Sequence, residues 1–333
     1  MDAAAFDYEL PPSVIAQVPV EPRDAARLLV DRGPEAPPEH RTIAALADLV
    51  GPGDLVVVND SRVMPARLHL RKPTGGAVEV LLLERVRGDE WEALLRPSRR
   101  VAAGTVLTDG RLELVVGGDL GDGRRRVCFP GGPDALAASG EVPLPPYIRE
   151  PLADPERYQT VYARRPTSVA APTAGLHLTT GVLDRCRARG AAVASVELAV
   201  GLGTFRPLTV DRVEDHAMHA ERYRVPPAVL AAAAAADRVV AVGTTVVRAL
   251  EAAAATGRAE GRTELFISGD FAFGVVDVLL TNFHVPRSSL LVLVDAFVGP
   301  RWRRLYATAL AEGYRFLSFG DAMLLDRRWG RCG

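Results

Sequence analysis

The stretch Val239-Val240-Ala241-Val242-Gly243-Thr244-Thr245-Val246-Val247-Arg248-Ala249-Leu250-Glu251 decides the fold of this 333-residue chain. Four apolar, mostly β-branched residues make a short buried strand, and a Gly-Thr-Thr turn then leads into a helix over 246–255. A strand that feeds a helix in this way implies helices covering a largely parallel or mixed sheet. The same alternation recurs along the chain. Residues 54–58 read as a strand that ends in Asn59-Asp60-Ser61-Arg62, and 182–189 as a helix stopped at Gly190. Residues 192–200 form a strand that leads into Gly201-Leu202-Gly203-Thr204-Phe205, and 228–236 an alanine-rich helix. The fold class is therefore α/β.

Between 68 and 146 the texture changes. Short apolar runs at 78–83, 91–95, 112–116 and 126–129 alternate with glycine turns, which points to a small all-β module. A composition of 48% apolar and 24% charged residues suffices for a sizeable core, and the length suits two domains. No apolar run reaches the roughly 18 to 20 residues that span a bilayer, and MDAAAFDYELPPSV lacks a basic region followed by an apolar one, so a cytoplasmic protein is expected, with no membrane partner. Cys128, Cys186 and Cys332 show neither metal-ligand spacing nor a disulfide framework and read as reduced thiols.

The formal net charge of −1 does not advertise a nucleic-acid binder, so any polyanion site must be local. Lys72 is the only lysine, which sets Schiff-base chemistry aside. Arginine clusters at 96–100, 124–126 and 301–304 suit either phosphate contact or a solvated face.

Several segments carry groups suited to chemistry. Ser168-Val169-Ala170-Ala171-Pro172-Thr173-Ala174-Gly175-Leu176-His177 has no clear period, and Pro172 interrupts any backbone ladder. It reads as a site loop, with Gly175 either in a left-handed conformation or at a close approach, and with His177 able to move protons near neutral pH. A packed crossover around a satisfied core histidine is the alternative. Thr244 and Thr245 stand at a helix start, where unpaired backbone N–H groups and the dipole favour an anion, although one threonine could be a plain N-cap. Gly201-x-Gly203-Thr204 after a strand suggests the same, but it lacks the third glycine of a dinucleotide fingerprint.

Asp215-His216-Ala217-Met218-His219-Ala220-Glu221 gathers two imidazoles and two carboxylates. No further cluster completes a metal ligand set, so general acid/base work or polar recognition is expected there, and no metal. Asn282-Phe283-His284 lies at a loop junction before the Ser288-Ser289 cap of an apolar segment. The run from Tyr314 to Met323 mixes aromatic rings with Ser318 and Asp321, suited to stacking a purine or to core packing. Four of the six histidines fall in these blocks, which favours one composite pocket.

Taken in order, the blocks FDYELP from Phe6, NDSRVMPARL from Asn59, VPLPPYI from Val142, ERYQTVYA from Glu156, SVAAPTAGLHL from Ser168 and VGLGTFRPL from Val200 closely resemble the S-adenosylmethionine:tRNA ribosyltransferase-isomerase family of queuosine biosynthesis. HAMHAE from His216, VVAVGTTVVRALE from Val239, TNFHVP from Thr281 and YRFLSFGDAM from Tyr314 complete a set that spans almost the whole chain.

The resemblance implies a large mixed-sheet α/β domain, its first part at 1–67 and its second, with the active site, at 148–333, and an inserted small β-barrel domain at 68–147. It implies an enzyme that takes S-adenosylmethionine as ribosyl donor and a tRNA bearing 7-aminomethyl-7-deazaguanine at the wobble position as acceptor. The product is epoxyqueuosine, with adenine and methionine released. A free deazapurine or other small acceptor is the alternative, and a non-catalytic tRNA-binding homologue a third reading. A monomer is expected.

On that resemblance, proton chemistry falls to His177, His216, His219 and Glu221. Arg62, Thr244 and Thr245 would anchor the donor's anionic group, and Gly201, Gly203 and Thr204 would admit it to the backbone. Asn59, Thr173, Asn282, His284 and Asp321 would hydrogen-bond the substrate. Thr167, Leu178 and Phe319 stand where the family commonly has Gly, Phe and Tyr.

Overall fold

The computed structural model describes residues 1–201 and 207–330. The chain divides into two units. One comprises Met1–Ser61, Pro145–Arg165 and Ala171–Gly333, the other Arg62–Leu144 and Pro166–Ala170.

The larger unit is built on a nine-stranded mixed sheet. Its strands run in the order Glu260–Thr263, Glu221–Arg224, Ala192–Leu198, Asp54–Asn59, Arg238–Val242, Val278–Asn282, Ala322–Asp326, Arg27–Val30 and Glu39–Thr42. The four from Ala192–Leu198 to Val278–Asn282 are mutually parallel. Ala322–Asp326 runs antiparallel to Val278–Asn282 and parallel to Arg27–Val30. Every residue of Asp54–Asn59 and Val278–Asn282 is buried, as continuous apolar runs demand when both faces of a sheet are covered. On one face Val182, Leu183 and Cys186 of the helix Thr180–Ala188 join Val56, Val58, Val240, Val242 and Leu280 in the core. The helix Thr244–Thr256 packs on the sheet as well, against the strands Ala192–Leu198 and Arg238–Val242.

Two parallel strands are tied at their beginnings by a half-buried ion pair. Arg238 Nε donates to Asp54 Oδ1 at 2.7 Å and Nη2 to Oδ2 at 2.5 Å. That register aligns their carboxyl ends, so Asn59, Gly243 and Asn282 lie along one edge of the sheet, where open α/β folds bind ligands. The helix after Arg238–Val242 starts two residues earlier than its pattern predicts. Gly243, at φ 95°, makes the turn, and both Thr244 and Thr245 fall inside the first helical turn.

The smaller unit is a closed antiparallel barrel of six strands, Arg124–Cys128, Glu90–Arg96, Ala77–Arg87, Arg67–Arg71, Val106–Thr108 and Glu113–Gly121. Leu68, Leu70, Val78, Val80, Ala93, Leu95, Leu114 and Val116 fill it by strict alternation. The sequence pattern reveals four of these strands. The strands at Arg67–Arg71 and Val106–Thr108 are missed because one alternates charges with leucines and the other has three residues. Arg125 belongs to the interior, donating to Val101 O and Gly117 O at 2.8 Å each, so that cluster is not simply a solvated face.

Among the described residues no helix is long and apolar enough to cross a membrane, and no group of three His, Cys, Asp or Glu gathers as a metal site. Cys186 is buried and Cys128 exposed, both free, while Cys332 lies outside the described residues.

A Cβ at Gly320 would stand 2.4 Å from Arg315 O and 2.5 Å from Phe316 C, both backbone atoms that cannot yield cheaply. Gly320→Ala is expected to cost about 2 kcal/mol or more in denaturant unfolding, with the slope unchanged.

Candidate active site

The site is organised by Asn282, the buried last residue of a parallel strand. Its Nδ2 donates to Leu317 O at 3.0 Å, and its Oδ1 accepts from Thr173 Oγ1 at 3.1 Å. Because a carbonyl oxygen only accepts, the amide orientation is fixed. The second Nδ2 proton is then directed at His177 Nε2, 3.0 Å away. His177 must therefore accept at Nε2 and carry its proton at Nδ1. Burial pushes its pKa down to about 3, helped by the positive charges of Arg315, Arg157 and Arg23. The imidazole is neutral at pH 7, and it presents an N–H to its surroundings.

His177 closes the short 3-10 turn Thr173–His177, which replaces the irregular loop expected from its lack of period. Gly175 is not left-handed there. It serves close approach, since a Cβ would stand 2.1 Å from the Tyr162 hydroxyl.

Beside His177 lies a small cavity of about 10 Å³ that opens to solvent, lined in part by Arg23, Arg157, Leu176, Ser318 and Phe319. Leu317 adopts φ 68°, a conformation that β-carbon sterics disfavour for leucine. Its carbonyl is captured by Asn282, and the next two side chains, Ser318 and Phe319, reach the cavity wall. The Ser318 hydroxyl pairs with Tyr147 Oη at 2.7 Å, and the Tyr158 ring meets Phe319 edge-on at 5.9 Å.

The helix start adjoins the same turn. A Cβ on Gly243 would contact Ala174 Cβ at 3.6 Å and Thr245 Oγ1 at 3.5 Å. Neither threonine is an N-cap, because Gly243 holds that position. Among the described residues Thr245 Oγ1, which is buried, has no partner.

The other expected site residues have different employment. Asn59 is fully buried and acts as a pseudo-backbone, bonding Leu198 N and O and Ser61 N. Both Asp321 oxygens accept backbone N–H groups, from Arg27 and Arg315 at 2.8 Å each, so Asp321 braces the aromatic segment. His284 is buried, with Nε2 2.9 Å from Thr281 Oγ1 and its backbone N–H on Tyr306 Oη. Burial pushes its pKa down to about 3.

Glu221 is buried in an ion pair with Arg248 and accepts from Gly201 N at 3.1 Å. That arrangement suits holding the strand-exit loop better than moving protons. His216 is half-buried against Phe266, and His219 is exposed. Neither lines the cavity. Arg62 is half-buried in the strand Ser61–Val63 and belongs to the smaller unit. Gly203 and Thr204 lie outside the described residues. Sequence reading missed Arg23 and Arg157. Arg157 sat inside the block ERYQTVYA, but a single arginine there carries no spacing signal, and Arg23 has no motif at all.

Residues 3–325 match the family model described as queuosine biosynthesis protein. The chain belongs to the queuosine biosynthesis protein family. Its relatives include the S-adenosylmethionine:tRNA ribosyltransferase-isomerases of Moorella thermoacetica, 52% identical over 96% of this chain and 98% of the relative, and of Rubrobacter xylanophilus, 52% identical over 96% of each. A crystal structure of the S-adenosylmethionine tRNA ribosyltransferase of Thermotoga maritima matches with a TM-score of 0.56 and 37% identity, covering 96% of this chain and 99% of that one. The α/β fold with its barrel is thus that of a queuosine-family chain.

Two outcomes follow from the geometry. Replacing Asn282 by Asp puts an anion beside His177 Nε2 and removes the donor, so the His177 pKa should climb from about 3 toward its ordinary 6.5 in an NMR titration. In the unaltered protein, His177 and His284 both fall from 6.5 unfolded to about 3 folded. The unfolded chain therefore binds protons first on acidification. Stability should fall from pH 6.5 toward 3, by about 1.4 kcal/mol per pH unit for each histidine, and His177→Asn should flatten that profile in thermal unfolding.

Proposed function

We propose that this chain is an S-adenosylmethionine:tRNA ribosyltransferase-isomerase, acting in the cytoplasm as a monomer. It transfers and isomerises the ribosyl moiety of S-adenosylmethionine onto 7-aminomethyl-7-deazaguanine at the tRNA wobble position and releases adenine and methionine. One observation carries the reading. A neutral His177, locked by Asn282, lines a cavity at the carboxyl edge of the sheet, in a chain 52% identical to proteins of that name. S-Adenosylmethionine enters as a substrate.

The sulfonium acidifies the adjacent 5′ carbon, so removal of a proton there starts the rearrangement. His177 is poorly suited to that step because Asn282 occupies its Nε2. Its Nδ1–H is suited to donate a hydrogen bond to departing adenine or to a ribose oxygen, with Asn282 and Thr173 as positioning residues. In this reading proton removal falls to His216 or His219, which lie outside the His177 cavity lining, so the donor's 5′ carbon must extend beyond that lining to meet them. Burial and the neighbouring His219 hold His216 below its ordinary pKa, leaving a free lone pair at pH 7. The first turn of Thr244–Thr256, with the unpartnered Thr245 hydroxyl, anchors the donor's carboxylate.

The test uses S-adenosylmethionine labelled in the ribose and tRNA carrying the deazaguanine. Release of adenine with label retained on tRNA is expected, whereas ribose label left wholly in a soluble nucleoside product would exclude the reading. Turnover of free deazapurine without tRNA would favour the small-acceptor alternative. His177→Asn should slow adenine release at least about 100-fold while exchange of the 5′ hydrogens with solvent persists, and His216→Ala should suppress that exchange.

A further inference from the structure

Arg23 and Arg157 both line the His177 cavity, Arg23 without a carboxylate partner and Arg157 with one buried nitrogen left over. Arg23 Nη1 donates to Gln159 O at 2.7 Å and Leu176 O at 3.2 Å, and Nη2 to Glu156 O at 2.9 Å. These are all neutral main-chain acceptors, so among the described residues no carboxylate pairs with its charge. Arg157 donates from Nη2 to Val20 O at 2.8 Å and pairs through Nε with Glu21. Among the described residues its Nη1, which is buried, has no partner. Arg315, held to Val18 O, adds a third positive charge acting on His177. The acidic groups acting on this cluster, Glu21, Asp154 and Glu156, are exposed, where water screens them.

We infer that Arg23 and Arg157 form a phosphate site at the His177 cavity, one that holds a backbone phosphodiester of the RNA acceptor beside the nucleotide being modified. The inference rests on the function proposed above. Three guanidinium groups attract a polyanion and disfavour the sulfonium of S-adenosylmethionine beside them, so the arginine wall is the phosphate's side of the cavity and His177 the ribosyl side. The forked N–H donors of arginine match phosphate oxygens, and the free Arg157 Nη1 supplies the donor that a phosphate needs. The donor's single carboxylate has its own anchor at the helix start. A near-neutral chain thus acquires a local anion site without a basic surface.

The test measures binding of deazaguanine-bearing tRNA against salt, together with KM for each substrate. Arg157→Gln is expected to weaken tRNA binding about 5- to 10-fold at low salt and to lower the slope of log affinity against log salt by about one, leaving KM for S-adenosylmethionine within about twofold. Glu21→Gln, an exposed change that removes the Arg157 counter-charge, should shift tRNA binding the opposite way. Unchanged tRNA affinity and salt slope in both variants would overturn the site, as would a rise in KM for S-adenosylmethionine alone, which would mark a carboxylate anchor. If unaltered protein neither binds nor turns over tRNA, the proposed function fails first. If it does both and the variants match it, only the phosphate site fails.

Discussion

The carboxamide of Asn282 joins three segments that are far apart in the chain: the turn at Thr173–His177, the aromatic segment at Leu317, and the sheet edge on which Asn282 itself stands. All three groups are buried or nearly so. Withdrawing the amide would leave the imidazole nitrogen unpaired in a low-dielectric interior, at about 1–3 kcal/mol, and Leu317 O with only the N–H of Gly320. Satisfying them decides more than stability, since the direction of each hydrogen bond sets which nitrogen of His177 carries the proton. A histidine that looks from its residue type like a general base becomes a neutral donor.

Close packing around that amide explains the small residues of the turn. Gly175 lies against the Tyr162 hydroxyl, Ala174 meets the helix start at Gly243, and Gly320 lets the Leu317 backbone double back on Arg315 and Phe316. The strained φ of Leu317 persists because the hydrogen bond to its carbonyl and the tight packing at Gly320 over-determine it. Electrostatics work in the same direction. Arginines around the cavity disfavour an imidazolium, so His177 stays neutral in surroundings that attract anions.

Much of the fold could be read from the chain. The apolar runs within Asp54–Asn59 and Arg238–Val242 become central parallel strands, and the change of texture after residue 68 becomes a barrel. The reading erred where propensity and packing disagree. Arg67–Arg71 alternates leucines with charged and polar side chains, and Arg125 turns inward because two barrel carbonyls accept from it. At the site, the turn carrying His177 was legible as chemistry. Asp321 and Asn59 attracted attention by residue type alone, yet their side chains are occupied with backbone groups.

The sequence by itself determined the alternation of strand and helix, the barrel insertion and the family, because apolar periodicity and ordered motifs are properties of neighbouring residues. It also nominated His177, Thr245 and Asn282 as polar groups where backbone runs are interrupted. Only the tertiary structure decided what they do. The tautomer of His177 depends on a carbonyl 140 positions away at Leu317, and the positive character of its cavity depends on Arg23 and Arg157, which have no local signature. Charge and hydrogen-bond direction act through space, and the chain's order does not record which groups folding will bring within 3 Å of one another.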